Sequence, residues 1–168
     1  LIKADKLTSA IFWGPPGCGK TSLARVIAST TKNKFVTLNA TTSGVSDIKS
    51  VVEEAQNIFT NPTGKVILFI DEIHRFNKLQ QDALLPHVEK GTVILIGATT
   101  ENPYFSVNKA LISRSTVFKF KALEDKDIVK ILNNCISDSE NGLGKYNLEV
   151  KDDALEYISM CFQYYIFF

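Results

Sequence analysis

The chain has 168 residues, enough for one full domain with part of a second, and 45% of them are hydrophobic, enough for a packed core. Its net charge of +1 excludes a global basic footprint for nucleic acid, and no segment approaches the roughly 20 apolar residues of a membrane span. Cys18, Cys135 and Cys161 lie far apart, and neither they nor His74 and His87 have the spacing of a structural zinc site.

Charge is distributed unevenly. Residues 1–120 carry 14 Lys/Arg against 9 Asp/Glu, whereas residues 121–168 carry 5 against 9. The first part can therefore take an anionic partner, although nothing in the balance demands one. The scattered cysteines suit a reducing compartment, and no signal peptide is visible. The first residue is Leu, from which we expect a piece of a longer chain.

In chain order, residues 9–13 form a short apolar run that reads as a buried strand. The stretch Gly14-Pro15-Pro16-Gly17-Cys18-Gly19-Lys20-Thr21 follows and matches the phosphate loop G-x-x-x-x-G-K-S/T at every fixed position. Residues 21–31 then place Leu23, Val26, Ile27 and Thr30 on one helical face. Strand, glycine loop and helix are the context that this motif needs, because loop N–H groups and a helix N-terminus together bind anions. Gly14 to Ser22 are thus the expected contacts of a nucleoside triphosphate. Lys20 would reach the outer phosphates, and the Thr21 hydroxyl would hold Mg²⁺.

Residues 34–39 read as a second strand, and residues 44–59 as an amphipathic helix. Residues 61–64 (Asn-Pro-Thr-Gly) form a turn. Residues 65–70 are continuously apolar, as expected of a central parallel strand covered on both faces. After Asp71-Glu72-Ile73-His74 a helix is predicted from Asn77, with Leu79, Ala83, Leu84 and Val88 inward and a break near Pro86. Residues 92–96 read as another buried strand closing on Gly97-Ala98-Thr99-Thr100. Asn102 and Pro103 cap a further helix, and residues 117–120 are a last short strand. This alternation predicts a doubly wound α/β fold with a parallel sheet over residues 1–121. Residues 122–168 read as the start of a small helical domain, with helices from Glu124 to about residue 137 and over residues 152–160.

In a parallel sheet the chain leaves every strand at the same edge, and ligands bind there. Lys20, Asp71 and Thr100 follow three different strands and can converge on one nucleotide. Asp71 ends an apolar strand, as a Mg²⁺-holding acid does in phosphate-loop enzymes, and Glu72 beside it can act as base for an attacking water. That pairing points to hydrolysis rather than transfer to a bound metabolite. The D-E-x-H run is shared with helicases, but 168 residues leave no room for their second motor domain. A GTPase would need N-K-x-D, and Asn77-Lys78-Leu79-Gln80 lacks the carboxylate. His74 and Cys18 read as structural, although a thiol in such a loop can have a lowered pKa.

Several runs carry a family resemblance: WGPPGCGKT at 13–21, FIDEIHRFNK at 69–78, QQDALLPHVEKGT at 80–92 and IGATTENPYF at 96–105. Residues 9–120 resemble the AAA+ ATPases of the clamp-loader group. More narrowly, they resemble the replication-associated recombination protein A / Werner-helicase-interacting protein family, also called MgsA. The resemblance implies a P-loop AAA+ core with a helical lid, using ATP and Mg²⁺ to act on DNA at stalled or damaged replication forks. It also implies a homo-oligomeric ring for the full-length protein, and replication and repair proteins as partners. The expected DNA is forked or contains single strands, and is bound without regard to sequence. The expected location is the nucleus in a eukaryote and otherwise the cytoplasm or nucleoid, with no membrane association.

Carried over residue by residue, Thr100 falls at the sensor-1 position, which reports on the γ-phosphate. Asn39 resembles the polar switch that holds the catalytic glutamate until DNA binds, and Arg114 the arginine finger offered to a neighbouring subunit. Thr41, Thr42, Ser43 and Gly44 open the second helix, whose start faces the bore in the family's ring. Their hydroxyls and free N–H groups are expected to meet DNA phosphates.

Three departures qualify the resemblance. Where the family's second lid helix leads into Gly-Asp-Ala-Arg, with the sensor-2 arginine, this chain reads Met160-Cys-Phe-Gln-Tyr-Tyr-Ile-Phe-Phe168, an apolar window prone to aggregate if exposed. The segment that closes over adenine is mostly missing ahead of the phosphate loop. Paired arginines common in clamp loaders are replaced by Leu85-Pro86. An alternative reading follows, in which the chain is a nucleotide-gated recruitment module that no longer hydrolyses ATP.

Overall fold

A computed structural model describes residues 8–31, 33–57, 61 and 63–166. The chain divides into two compact units, one holding the stretch up to Pro15 and Gly19–Phe120, the other Pro16–Cys18 and the chain from Lys121.

The first unit is a five-stranded parallel sheet of β1 (Ala10–Trp13), β2 (Lys34–Asn39), β3 (Val66–Asp71), β4 (Val93–Thr99) and β5 (Thr116–Lys119). The strands lie in the order β2-β3-β4-β1-β5. The helices of this unit are α1 (Lys20–Ser29), α2 (Val45–Gln56), α3 (Lys78–Glu89), α4 (Pro103–Ser106) and α5 (Lys109–Ile112). This is the doubly wound α/β fold that the sequence predicts.

The apolar runs of β3 and β4 are continuous because successive side chains feed two cores, one on each face of the sheet. Val66, Leu68 and Ile70 of β3 join the cluster that includes Ile48, Val52, Leu84 and Leu111 from the helices on one side. Ile67 and Phe69 join the cluster that includes Ala24 and Ile27 of α1 on the other.

Helix faces and strand ends differ from expectation in four places. Leu23 and Val26 are exposed on α1, at 38% and 56%, because the helix meets the sheet through the narrow stripe Lys20, Ala24 and Ile27. Leu79 is likewise exposed rather than inward, since it precedes the buried pair Gln81 and Leu84 on α3. Pro86 does not break α3, which runs on to Glu89. A proline this close to the end loses only the bond back to the Asp82 carbonyl, and the Lys90 N–H still closes the last turn on the Pro86 carbonyl at 3.2 Å. Finally, β4 continues through Gly97 and Ala98 to Thr99. Gly97 is there for packing: a Cβ on it would lie 2.9 Å from both Ile11 Cδ1 and Ile73 Cδ1. Ile58 and Phe59 of the predicted second helix, and Pro62 of the turn after it, lie outside the described residues.

In the second unit, α6 (Asp125–Ser137) starts where the Glu124 N–H donates to Asp127 Oδ2 at 3.1 Å. A single 3₁₀ turn at Gly144–Tyr146 precedes α7 (Asp152–Ile166), which is longer than predicted. The two helices pack on each other and bury Ile128 and Leu155.

Candidate functional site

The sheet order decides which loops are neighbours. β4 lies between β1 and β3, so the chain after β4 emerges between the phosphate loop after β1 and the Asp71-Glu72 pair at the end of β3. The register sets the strand ends level: Trp13 pairs with Thr99 and Asn39 with Asp71.

The loop after β1 is pinned at its start, where the Gly14 N–H donates to the Thr99 carbonyl at 3.1 Å. Gly17 and Gly19 sit at φ 69° and 89°, in the left-handed region that glycine adopts without cost. Gly19 occupies the N-cap of α1, where no side chain caps the helix and no acidic residue stands in the first turn. Such an end favours an anion. Lys20 is buried, and its Nζ donates to the carbonyls of Gly14 at 2.8 Å and Pro15 at 2.7 Å. The ammonium is therefore held over the loop, where a phosphate can take the place of the two carbonyls.

Across the edge, the Glu72 N–H donates to Asp71 Oδ1 at 3.2 Å. Glu72 is at φ 53°, ψ 44°, a left-handed conformation that a non-glycine residue holds only when its surroundings impose it. Those surroundings are the 3₁₀ turn Ile73–Arg75, with Ile73 fully buried. The Glu72 carboxylate faces His74, whose Nδ1 lies 3.3 Å from Glu72 Oε2 and 3.0 Å from Thr99 Oγ1. Neither Thr99 nor this contact of His74 was visible in the sequence. A D-E-x-H run with a threonine ending the next strand of the sheet would have been the signal.

The remaining candidates are placed as follows. Thr100 is exposed just past β4. Asn39 is exposed at the end of β2, and its carboxamide oxygen accepts from the Thr41 N–H at 2.9 Å and the Thr41 hydroxyl at 2.7 Å. It is thus engaged with its own turn rather than with Glu72. The Thr42 and Ser43 N–H groups donate to the Asn39 carbonyl, and the Gly44 N–H to Asp47 Oδ2. The expectation of free amides at this helix start is therefore corrected, because the Asn39 turn and the Asp47 cap take them all. Arg114 follows α5, paired through its Nη2 with Glu89 Oε1 at 2.6 Å and donating from Nη1 to the Ala110 carbonyl at 2.9 Å. Both side chains are more than 40% exposed, so this pair is worth at most about 1 kcal/mol and holds Arg114 only loosely.

A family model described as "ATPase family associated with various cellular activities (AAA)" matches residues 10–123. The chain belongs to the AAA ATPase family. Within that family it groups with replication-associated recombination protein A and ATPase WRNIP1. It is 51% identical over 90% of its length to replication-associated recombination protein A of Coxiella burnetii, covering 34% of that protein. It is 53% identical over 79% of its length to ATPase WRNIP1 of Dictyostelium discoideum, covering 15% of it. It therefore spans about a third or less of these relatives. Among solved structures, the RuvB Holliday junction branch migration motor of Thermotoga maritima matches 94% of this chain and 50% of its own, with TM-score 0.71 and 25% identity.

The donor chemistry at the AAA sheet edge fits Mg²⁺. A hydroxyl, a carboxylate and phosphate oxygens are the hard ligands that this ion takes, with few protein groups and several waters. Among the described residues there is no cluster of three or more His, Cys, Asp or Glu to form an all-protein cage. No helix among them is long and apolar enough to cross a membrane.

Proposed function

We propose that the chain is the motor core of a DNA-dependent ATPase that hydrolyses ATP to ADP and phosphate at stalled or damaged replication forks. The observation that carries this reading is the meeting, at one sheet edge, of a phosphate loop with its buried lysine and an acidic pair ending the strand beyond β4. Gly14 to Ser22 wrap the triphosphate, and Lys20 exchanges its two loop carbonyls for phosphate oxygens. Thr21 and Asp71 hold Mg²⁺, which when bound neutralises charge on the phosphates. Glu72 accepts the proton of the attacking water, and Thr100 contacts the γ-phosphate. Arg114 leaves its loose pair with Glu89 to complete the neighbouring protomer's site in a ring, where such fingers are worth on the order of 10³–10⁵ in rate.

The names of the similar proteins support replication-linked recombination as the setting, since they are replication-associated recombination proteins and a Holliday junction branch-migration motor. Within the stretch from Thr41 to Gly44, Thr42 and Ser43 offer hydroxyls to phosphates, contacts that position a duplex without reading its sequence. Gln80 Nε2 donates to the Ser43 carbonyl at 3.0 Å, fastening that stretch to the start of α3, shortly after Glu72. Asn39 would carry DNA contact to the catalytic glutamate only by releasing Thr41, which holds its carboxamide in this structure.

A second reading has its own observation. Residues 121–168 contain no arginine, so a sensor-2 residue is not supplied from them. The chain would then be a nucleotide-gated module that recruits replication and repair partners. ATP turnover measured with and without forked DNA separates the two. Turnover raised by the fork and abolished by Glu72→Gln supports the motor. ATP binding with no turnover under either condition supports the module.

A further inference from the structure

We infer that His74 is the positioning residue for the Glu72 carboxylate, taking its own orientation from Thr99 at the end of β4. This rests on the proposed role of Glu72 as base. The His74 side chain is only 9% exposed, and its Nδ1 sits between Glu72 Oε2 at 3.3 Å and Thr99 Oγ1 at 3.0 Å. Its Nε2 lies 3.6 Å from Glu101 Oε1, beyond a hydrogen bond but close enough for charge to be felt. Thr99 is fully buried, and its Oγ1 accepts from the Glu101 N–H at 3.0 Å while lying 3.3 Å from the Glu101 carbonyl. The network is satisfied when the Thr99 hydroxyl donates to that carbonyl and the His74 Nδ1–H is shared between Thr99 and Glu72.

A glutamate on a flexible stem samples several rotamers unless something fixes it. Asp71 Oδ1 accepts from the Glu72 backbone N–H rather than meeting its carboxylate, and the Asn39 carboxamide is taken by Thr41. Among the described residues, His74 is therefore the side chain seen against the Glu72 carboxylate. Holding one oxygen leaves the other for a water. Because Thr99 directly precedes Thr100, His74 also ties the base to the segment beside the γ-phosphate. The imidazole is itself confined, since Ile73 before it is packed against Gly97.

The test uses the full chain, measuring kcat for ATP, the Kd of a fluorescent ATP analogue and the melting temperature. His74→Ala should lower kcat on the order of 10²-fold, the cost of misplacing a reacting group by about 1 Å, with Kd changed by less than about twofold. His74→Asn, whose Nδ2 overlays the Nδ1 donor, should recover much of that loss, and His74→Gln should not. Combining His74→Ala with Glu72→Gln should be no slower than Glu72→Gln alone. Losses that multiply, a kcat that stays at the parent level, or Kd weakening in step with kcat would overturn the inference. A parent chain without turnover refutes the hydrolase reading instead, and then the imidazole NMR spectrum decides. A His74 Nδ1 resonance that moves in both Glu72→Gln and Thr99→Val supports the contact, and one that stays put in both rejects it.

Discussion

Gly14→Ala isolates the fit between the phosphate loop and the sheet. The alanine Cβ would lie 2.6 Å from the Phe120 carbonyl oxygen and 2.7 Å from Phe120 Cβ. Ordinary contact starts at 3.4 Å, so about 0.8 Å of room is missing. Phe120 cannot retreat, because its N–H donates to the Trp13 carbonyl at 2.6 Å and its ring packs on Phe12 with centroids 5.2 Å apart. The start of the loop must move instead, against the Gly14–Thr99 bond. Overpacking of this kind costs about 1–3 kcal/mol, which in a chain of this size lowers the melting temperature by roughly 2–4 °C per kcal/mol. The same shift displaces the Gly14 carbonyl that holds Lys20, so ATP affinity and turnover fall with stability. Gly91→Ala is the control: its φ is 70° and nothing lies within 4 Å of the added carbon. That variant should lose about 1–2 kcal/mol from the left-handed backbone alone and keep parent affinity for ATP. Thermal melts and nucleotide titrations on both variants settle the matter. A Gly14→Ala protein that melts and binds ATP like the parent would refute the reasoning.

Four further outcomes are expected. Glu72→Gln should bind ATP as the parent does and lose about 10²–10⁴-fold in turnover, while Lys20→Ala should lose binding itself in the same titration. Mixing the inactive Arg114→Ala and Glu72→Gln proteins should restore part of the activity if Arg114 acts across subunits; no recovery in mixtures shown to co-assemble rejects a finger in trans. Replacing Thr42 and Ser43 together with Glu should weaken fork binding and DNA-stimulated hydrolysis in step, and unchanged affinity at low salt would remove this stretch from the DNA footprint. Burial, with Lys90 adding to it, lowers the pKa of His87, whose Nδ1 is enclosed without a hydrogen bond. The unfolded chain then binds a proton that the fold refuses, so stability should drop as pH falls below about 6.5; melting curves of His87→Gln across that range should show a smaller drop.

The strand, glycine loop and helix at the start of the sheet, the five strands, and the place of Asp71 at a strand end were legible because each rests on a local rule. A glycine pattern flanked by a strand and a helix, or an unbroken apolar run ending in acid, needs no knowledge of the rest of the fold. Where the reading failed, the deciding partner was distant. Leu23, Val26 and Leu79 have helical spacing, yet which stripe of a helix meets the sheet depends on where that helix crosses it. Gly97 reads as the start of a loop, and only the side chains of Ile11 and Ile73 against it show that the strand continues. The amides at 41–44 looked free because nothing in the sequence announces that Asn39 turns its carboxamide and carbonyl back on them. His74 and Thr99 are 25 residues apart, and their contact exists only because β3 and β4 are adjacent in the sheet.

That adjacency also sets apart the two threonines where β4 closes, Thr99 as its last residue and Thr100 just past it. Side chains alternate between faces along a strand, so neighbours cannot serve the same partner. Thr99 is fully buried and turned to His74, while Thr100, one step on, is exposed at the edge beside the loop that holds Lys20. The Thr99 hydroxyl is thereby committed to His74 and Glu101, and the exposed Thr100 is left for the γ-phosphate contact proposed for it. A single residue could not do both, because the hydroxyl bonded to His74 and Glu101 has no proton left for a phosphate oxygen. Thr99→Ser, which keeps the hydroxyl, should therefore preserve turnover far better than Thr99→Val.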